Sequence, residues 1–91
     1  MVQIFKYPLE TFTQEIELPL GAVFLHAECQ HNNPVMWFRV DTENETEKRT
    51  FTMIGTGHKF EPMGQRFLTT FTQGPFVWHL HETYQIGQKV K

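Results

Sequence analysis

Residues 23–41 read VFLHAECQHNNPVMWFRVD, and this stretch decides the fold class. Side chains from Val23 to His31 alternate, which is typical of a half-buried β-strand. One face carries Val23, Leu25, Ala27 and Cys29, and the other carries Phe24, His26, Glu28 and Gln30. Asn32-Asn33-Pro34 has the composition of a hairpin connection. The return strand, Val35–Asp41, sets Met36, Phe38 and Val40 against Trp37 and Arg39. The stretch therefore predicts an antiparallel hairpin.

Other short segments of the chain have the same character. Further strands are predicted at Ile4–Tyr7, Glu15–Leu18, Thr50–Ile54, Arg66–Thr72 and Phe76–Glu82, the last two joined through Gln73-Gly74-Pro75. Asp41–Arg49 is predicted as a polar loop and Gly55–Gly64 as an irregular crossover. Short strands separated by turn signals favour an all-β fold. We expect a single-domain antiparallel β-sandwich or small barrel of six to seven strands over residues 1–91, with a loose tail at 86–91.

Composition excludes several classes of function. Eight Lys and Arg against ten Asp and Glu, a net charge of −2, do not supply the basic face that phosphate backbones require, so no nucleic-acid partner is expected. No apolar stretch approaches the roughly 20 residues that span a bilayer, so no membrane partner is expected. With a single cysteine, Cys29, and no secretory signal, the expected compartment is the cytoplasm.

The run Ile54-Gly55-Thr56-Gly57-His58-Lys59 is the first candidate site. Glycines allow the backbone to expose its N–H groups, and consecutive N–H groups can form an anion-binding concavity. His58 and Lys59 would add positive charge beside it. The predicted ligand-binding residues are Gly55, Thr56, Gly57, His58, Lys59, Trp37, Arg39 and His79. The alternative is a structural bend, since a lone Gly-x-Gly after a strand also serves that purpose.

A metal site is the second candidate chemistry. His79 and His81 lie two residues apart on a predicted strand, so they project from the same face about 6.5–7 Å apart. With His58 as a third ligand they could hold a catalytic Zn²⁺. No spacing fixes that third ligand, and we therefore expect no metal, no cofactor and no catalytic residue. The carboxylates of Asp41, Glu43, Glu45 and Glu47 lack the EF-hand pattern and are read as a solvated loop. Cys29 is read as a buried, inert thiol.

Several motifs together resemble a known family. Ile4–Leu9 (IFKYPL), Glu43–Thr50 (ENETEKRT), Ile54–His58 (IGTGH) and Val77-Trp78-His79 are similar to short proteins found mostly in bacteriophages and prophage regions, which form a domain of unknown function. The resemblance covers almost the whole chain. It implies a phage accessory protein that acts by binding, and it transfers no catalytic residue.

The resemblance also bears on the histidines. Its members share the histidine that matches His79 but often have an apolar residue where His81 stands. This departure weakens the two-histidine metal site and leaves His58 and His79 as the better paired candidates.

These observations lead to one leading expectation and two alternatives. The leading expectation is a non-enzymatic phage-type binding protein in the host cytoplasm that captures a small anionic or nucleotide-derived ligand at the Gly55–His58 loop. One alternative is an inhibitor that docks onto a host protein through exposed aromatic and acidic surface. The other is a metal-assisted hydrolase that uses His58, His79 and His81. A homo-oligomer is expected, with an edge strand, Ile4–Tyr7 or Phe76–Glu82, at its interface.

Overall fold

Two antiparallel sheets form the fold in the computed structural model, which describes residues 1–62 and 64–84. The strands are β1 (Val2–Pro8), β2 (Thr13–Pro19), β3 (Val23–Gln30), β4 (Asn33–Asp41), β5 (Thr46–Gly55), β6 (Gln65–Gln73) and β7 (Phe76–Thr83). One sheet has the order β1-β4-β3 and the other β2-β5-β7-β6. The all-β prediction is confirmed, and the two sheets make it a sandwich. The predicted tail at 86–91 lies outside the described residues.

The core lies between the facing sides of the two sheets. In β4, Met36, Phe38 and Val40 are buried, as their alternation predicts. From the four-stranded sheet, the buried side chains include Leu18, Phe51 and Leu80. The rings of Phe38 and Phe51 meet edge to face with centroids 5.5 Å apart, so the central strands of the two sheets are in direct contact. Within the described residues there is no helix that could span a membrane.

Strand β3 differs from its predicted alternation. Its register against β4 shifts between Phe24 and His26, so a β-bulge lies at Leu25. The extra residue moves Phe24 to the core side together with Ala27, and it leaves Val23 and Leu25 exposed. The prediction that Val23 and Leu25 share a face with Ala27 is therefore wrong, because a bulge resets the period of two.

The β3–β4 turn is also shifted from its predicted place. Gln30 pairs with Asn33, and the two connecting residues, His31 and Asn32, have φ angles of 50° and 65°. Two successive positive φ values are the mark of the tight turns that match the twist of a hairpin. The hairpin is confirmed, but Asn33 and Pro34 begin β4 instead of forming the turn.

Strand β5 begins earlier than predicted. The polar loop expected over Asp41–Arg49 is wrong beyond Glu45, because β5 starts at Thr46 and pairs with β2 from there, with Lys48 opposite Glu17. The start of this strand was not predicted because it is rich in charged residues. They are accommodated because Lys48 is exposed on the outer face, whereas Arg49 turns inward and finds a buried partner.

That partner is Glu82 of β7, whose side chain is 4% exposed. Arg49 donates from Nε and Nη2 to the two carboxylate oxygens, at 2.7 and 2.8 Å. Its Nη1 donates to the carbonyl of Ala22, directly before β3, at 2.7 Å. The guanidinium carbon also lies 5.6 and 5.8 Å from the ring centroids of Phe38 and Phe51. Burial opposes its charge, but the combined effects of Glu82, Glu47 and Tyr84 outweigh burial and raise the pKa of Arg49.

The position of β7 excludes one of the two expected interfaces. β7 pairs with β5 on one side and with β6 on the other, so the Phe76–Glu82 segment is interior and has no open edge. The β6–β7 hairpin itself is confirmed, with Gly74-Pro75 as its turn and Gly74 at a φ of 55°. Phe76 is exposed because it lies at the end of the sheet.

We predict that Glu82→Gln lowers the free energy of unfolding by about 3–5 kcal/mol, because it leaves the Arg49 charge buried without its counter-ion. Urea denaturation provides the measurement. Glu17→Gln, on the exposed face of β2, is the matched control and should change stability by no more than about 0.5 kcal/mol. Similar losses in the two variants would contradict the role given to the ion pair.

Candidate functional site

The predicted glycine loop is a β-turn that follows β5. The His58 N–H donates to the Gly55 carbonyl at 3.0 Å, and Gly57 has a φ of 87°. A positive φ at the third residue fits a type II turn, where glycine is preferred. The Thr56 N–H donates to the Val77 carbonyl at 3.2 Å. Because every second amide of the turn is already bonded, consecutive N–H groups do not converge on an anion, and the bend interpretation gains support.

His58 packs against the turn that carries it. A Cβ on Gly55 would lie 2.7 Å from Cε1 of the His58 ring. The ring also meets Trp78 edge to face, with centroids 6.3 Å apart. Gly55 is paired with Trp78 across the β5–β7 ladder, and opposed residues share one face of a sheet. The His58 ring therefore packs beside Trp78, although the residue remains exposed.

His79 lies on the opposite face from Trp78, because neighbouring residues of a strand alternate. Both of its ring nitrogens are hydrogen-bonded: Nε2 to the Thr56 hydroxyl at 2.8 Å and Nδ1 to the Thr70 hydroxyl at 3.0 Å. His58 and His79, predicted as a pair, contact different side chains, but both line one pocket. The structure also joins Thr56 directly to His79.

A shallow pocket of about 320 Å³ lies beside this pair. We call it the histidine pocket. Five of the predicted ligand residues line it, together with four further side chains: Gly55, Thr56, Gly57, His58 and His79, and Ile54, Phe60, Phe67 and His81. The His81 ring contacts Phe60 and Phe67, with centroids 5.8 and 5.5 Å away. Its Nδ1–H donates to the His79 carbonyl at 3.2 Å, which fixes the tautomer. Within the part of the chain that the structure describes, Nε2 of His81 has no hydrogen-bond partner.

Two predicted ligand residues lie elsewhere. Trp37 and Arg39 are on β4 and point away from the core, on the outer face of the three-stranded sheet. Trp37 is stacked on His26, with ring centroids 5.9 Å apart. The whole sandwich separates them from the outer face that carries His79, so grouping Trp37 and Arg39 with the glycine loop is wrong. Lys59 follows the turn and is exposed.

The metal and thiol candidates receive no geometric support. No three His, Cys, Asp or Glu side chains of residues 1–62 and 64–84 are arranged to hold a metal ion. His79 uses both nitrogens on threonines, and Glu47, one of the four carboxylates, belongs to β5. Burial, with a further effect of Glu28, raises the pKa of the Cys29 thiol, which disfavours the reactive thiolate.

A larger groove lies at one end of the sandwich. Its volume is about 860 Å³, and the walls of this end groove include Leu9, Glu10, Phe12, Pro34, Met53 and Trp78. Phe12 is 63% exposed, and its ring lies on Trp78 with centroids 5.5 Å apart. The Trp78 indole N–H donates to Gln73 at 2.9 Å, which holds the indole in place.

One side chain, that of Gln14, braces the loop that forms the groove wall. Its Oε1 accepts the N–H groups of Glu10 and Thr11 at 2.7 and 3.3 Å, and its Nε2 donates to the Pro8 carbonyl at 3.0 Å. The Phe12 carbonyl accepts the Met53 N–H at 2.7 Å. The β1–β2 connection is therefore tied to itself and to β5, and the groove is formed in advance of any partner.

The comparison with known families assigns the chain. Residues 1–90 match the family described as Domain of unknown function (DUF7352). The chain belongs to this family. No curated protein and no solved structure matches it.

The sequence interpretation of this DUF7352 chain missed the end groove. Its walls come from the β1–β2 connection, from β4 and β5, and from the β6–β7 hairpin, which the sequence does not show to be neighbours. One signal was available: Phe12 lies in the polar stretch Glu10–Gln14, without an apolar residue at the positions two before and two after it. Such an isolated aromatic cannot be explained by strand alternation.

We predict that Gly55→Ala destabilises this DUF7352 domain, because the new methyl group would displace the His58 ring from Trp78. The loss should be on the order of 1 kcal/mol, the range of an aromatic contact. In a His58→Ala background the same change should cost less, and a double-mutant cycle from thermal denaturation measures the difference. Equal costs in both backgrounds would contradict the packing described for the turn.

Proposed function

We propose that this protein is a non-enzymatic binding protein that docks onto a protein partner through the end groove. The observation that carries the proposal is the exposed Phe12 ring on the buried Trp78, at the wall of a groove of about 860 Å³. An exposed aromatic on a fixed support resembles the anchors that dominate protein interfaces.

Rigidity supports this proposal as well. Association is weakened by the entropy lost when loops become ordered. The hydrogen bonds from Gln14 and the Met53 N–H already hold the loop that carries Phe12. A partner would therefore bind a groove whose shape is already fixed. Less of the free energy of contact would then be lost in ordering the loop, and the affinity would be higher.

The walls of the groove also indicate the chemistry of the partner. They are mainly apolar, with Leu9, Phe12 and Met53, and Glu10 contributes a carboxylate. A segment with an apolar side chain for the groove and a Lys or Arg beside Glu10 complements both features. Following the resemblance to phage and prophage proteins, we propose that the partner is a host protein and that the chain acts in the host cytoplasm.

The proposal predicts how peptide ligands respond to variants. Linear peptides selected on the wild-type protein from a displayed random library should lose at least about tenfold in affinity for Phe12→Ala. Glu10→Gln should weaken basic peptides and reduce the salt dependence of their binding. Isothermal titration calorimetry measures both, and the Trp78 indole N–H signal in NMR reports the site.

Phe67→Ala is the matched control, since Phe67 is a similarly exposed phenylalanine in the histidine pocket. It should leave peptide affinity unchanged. Peptides that bind Phe12→Ala as tightly as the wild-type protein, or a library from which nothing is enriched, would argue against the end groove as the docking site.

A second candidate is the capture of a small planar anion in the histidine pocket. It is favoured by His81, whose ring contacts two exposed phenylalanines and whose Nε2 has no partner among the described residues. Aromatic side chains can stack a base, and Nε2 of His81 can accept a hydrogen bond from it. This keeps the nucleotide-type ligand at the Gly55–His58 loop, which lines the pocket, and adds the aromatic side chains of the outer face.

For this candidate we predict that calorimetry detects the binding of a nucleotide to the wild-type protein. His81→Ala should weaken it about tenfold or more. Trp37→Ala, on the other sheet, should have no effect. The absence of nucleotide binding, or binding that depends on Trp37, would contradict this site.

A further inference from the structure

The four edges of the two sheets are protected to very different degrees. The edge strands are β1 and β3 in one sheet and β2 and β6 in the other. β3 and β6 run beside each other along one side of the sandwich. Each also carries a bulge, at Leu25 and Leu68, which disrupts further pairing. Among residues 1–62 and 64–84, the open edges are therefore β1 and β2.

Strand β2 is unsuited to pairing with another copy of itself. Glu15 and Glu17 lie on its outer face, opposite Thr50 and Lys48 of β5. Antiparallel pairing of two β2 strands about a two-fold axis would bring these glutamates next to each other. Like charges that face each other across strands are destabilising. The two glutamates therefore disfavour the pairing of β2 with a second copy.

Strand β1 presents a regular edge instead. At one end of the strand, the Thr42 N–H donates to the Met1 carbonyl, and at the other end the Leu9 N–H donates to the Pro34 carbonyl. The register of β1 against β4 is unbroken between these two hydrogen bonds. Since hydrogen-bonding direction alternates along an antiparallel strand, the amides of Gln3, Phe5 and Tyr7 face β4. Those of Val2, Ile4 and Lys6 point away from the sheet. Pro8 has no N–H and ends this run.

We propose that β1 pairs antiparallel with β1 of a second copy of the chain, about a two-fold axis at Ile4. Ile4 then lies opposite Ile4 of the second copy, and Val2 lies opposite its Lys6. The N–H groups of Val2, Ile4 and Lys6 in each copy donate to the facing carbonyls. The two three-stranded sheets become one continuous sheet, and the outward backbone groups of β1 are satisfied.

The side chains of β1 suit this partner. Ile4 is 63% exposed on the outer face, and it would pack against its symmetry mate. Phe5 is on the core side, opposite the buried Phe38, yet it remains 37% exposed at the sheet edge. In the paired sheet the two Phe5 rings are diagonal neighbours, a separation that aromatic side chains bridge. The two Lys6 residues lie apart, each opposite a valine.

Light scattering coupled to gel filtration tests this dimer. The wild-type protein should show twice the chain mass of 10.8 kDa at high micromolar concentration. Ile4→Pro should give the monomer mass while the fold survives, because it removes an outward N–H and leaves the β4 ladder intact. Ile4→Lys should have the same effect, because it places two charges directly opposite each other. Circular dichroism confirms the fold of both variants.

Glu17→Pro is the matched control on the other open edge. Its amide also points outward, because the Met53 N–H donates to the Phe12 carbonyl and sets the alternation of β2. This variant should remain a dimer. A wild-type protein that is monomeric at every concentration would overturn the proposal, as would a dimer that survives both changes at Ile4. A dimer that Glu17→Pro dissociates would assign the interface to β2.

Discussion

The buried ion pair between Arg49 and Glu82 is the constraint on which the sandwich depends. It joins β5 to β7 within one sheet, and through the Ala22 carbonyl it reaches the chain that enters the other. A buried charge is tolerated only when it is paired and hydrogen-bonded. The hydrogen bonds of this one guanidinium require β5, β7 and the connection before β3 to lie close together. The ion pair therefore favours this arrangement of the sheets over arrangements in which these three elements lie apart.

With the core arranged in this way, the surfaces available to partners are separated from one another. The histidine pocket lies on the outer face of the four-stranded sheet, and the end groove lies where connections from both sheets meet. The open β1 edge is a third surface, on the other sheet. The three surfaces proposed for partners therefore lie at different places on this small domain.

The candidate site was only partly predictable. The glycines, Thr56 and His79 were correctly singled out as features of one region, because a strand-to-turn transition is local. The role of Gly55 was not predictable, since it depends on the His58 ring that occupies its Cβ position. Trp37 and Arg39 were misplaced because alternation assigns a residue to a face of its strand but does not say which sheet that strand joins.

The sequence by itself determined the fold class, the β3–β4 and β6–β7 hairpins and the buried face of β4, because these follow from local turn chemistry and a period of two. Tertiary structure alone decided the rest. The bulge at Leu25, the burial of Arg49 in a segment that looks like a loop, and the interior position of β7 all depend on partners distant in sequence. A local pattern shows which residues of a strand share a face, whereas the pairing of strands within the sheets determines which other strands they contact.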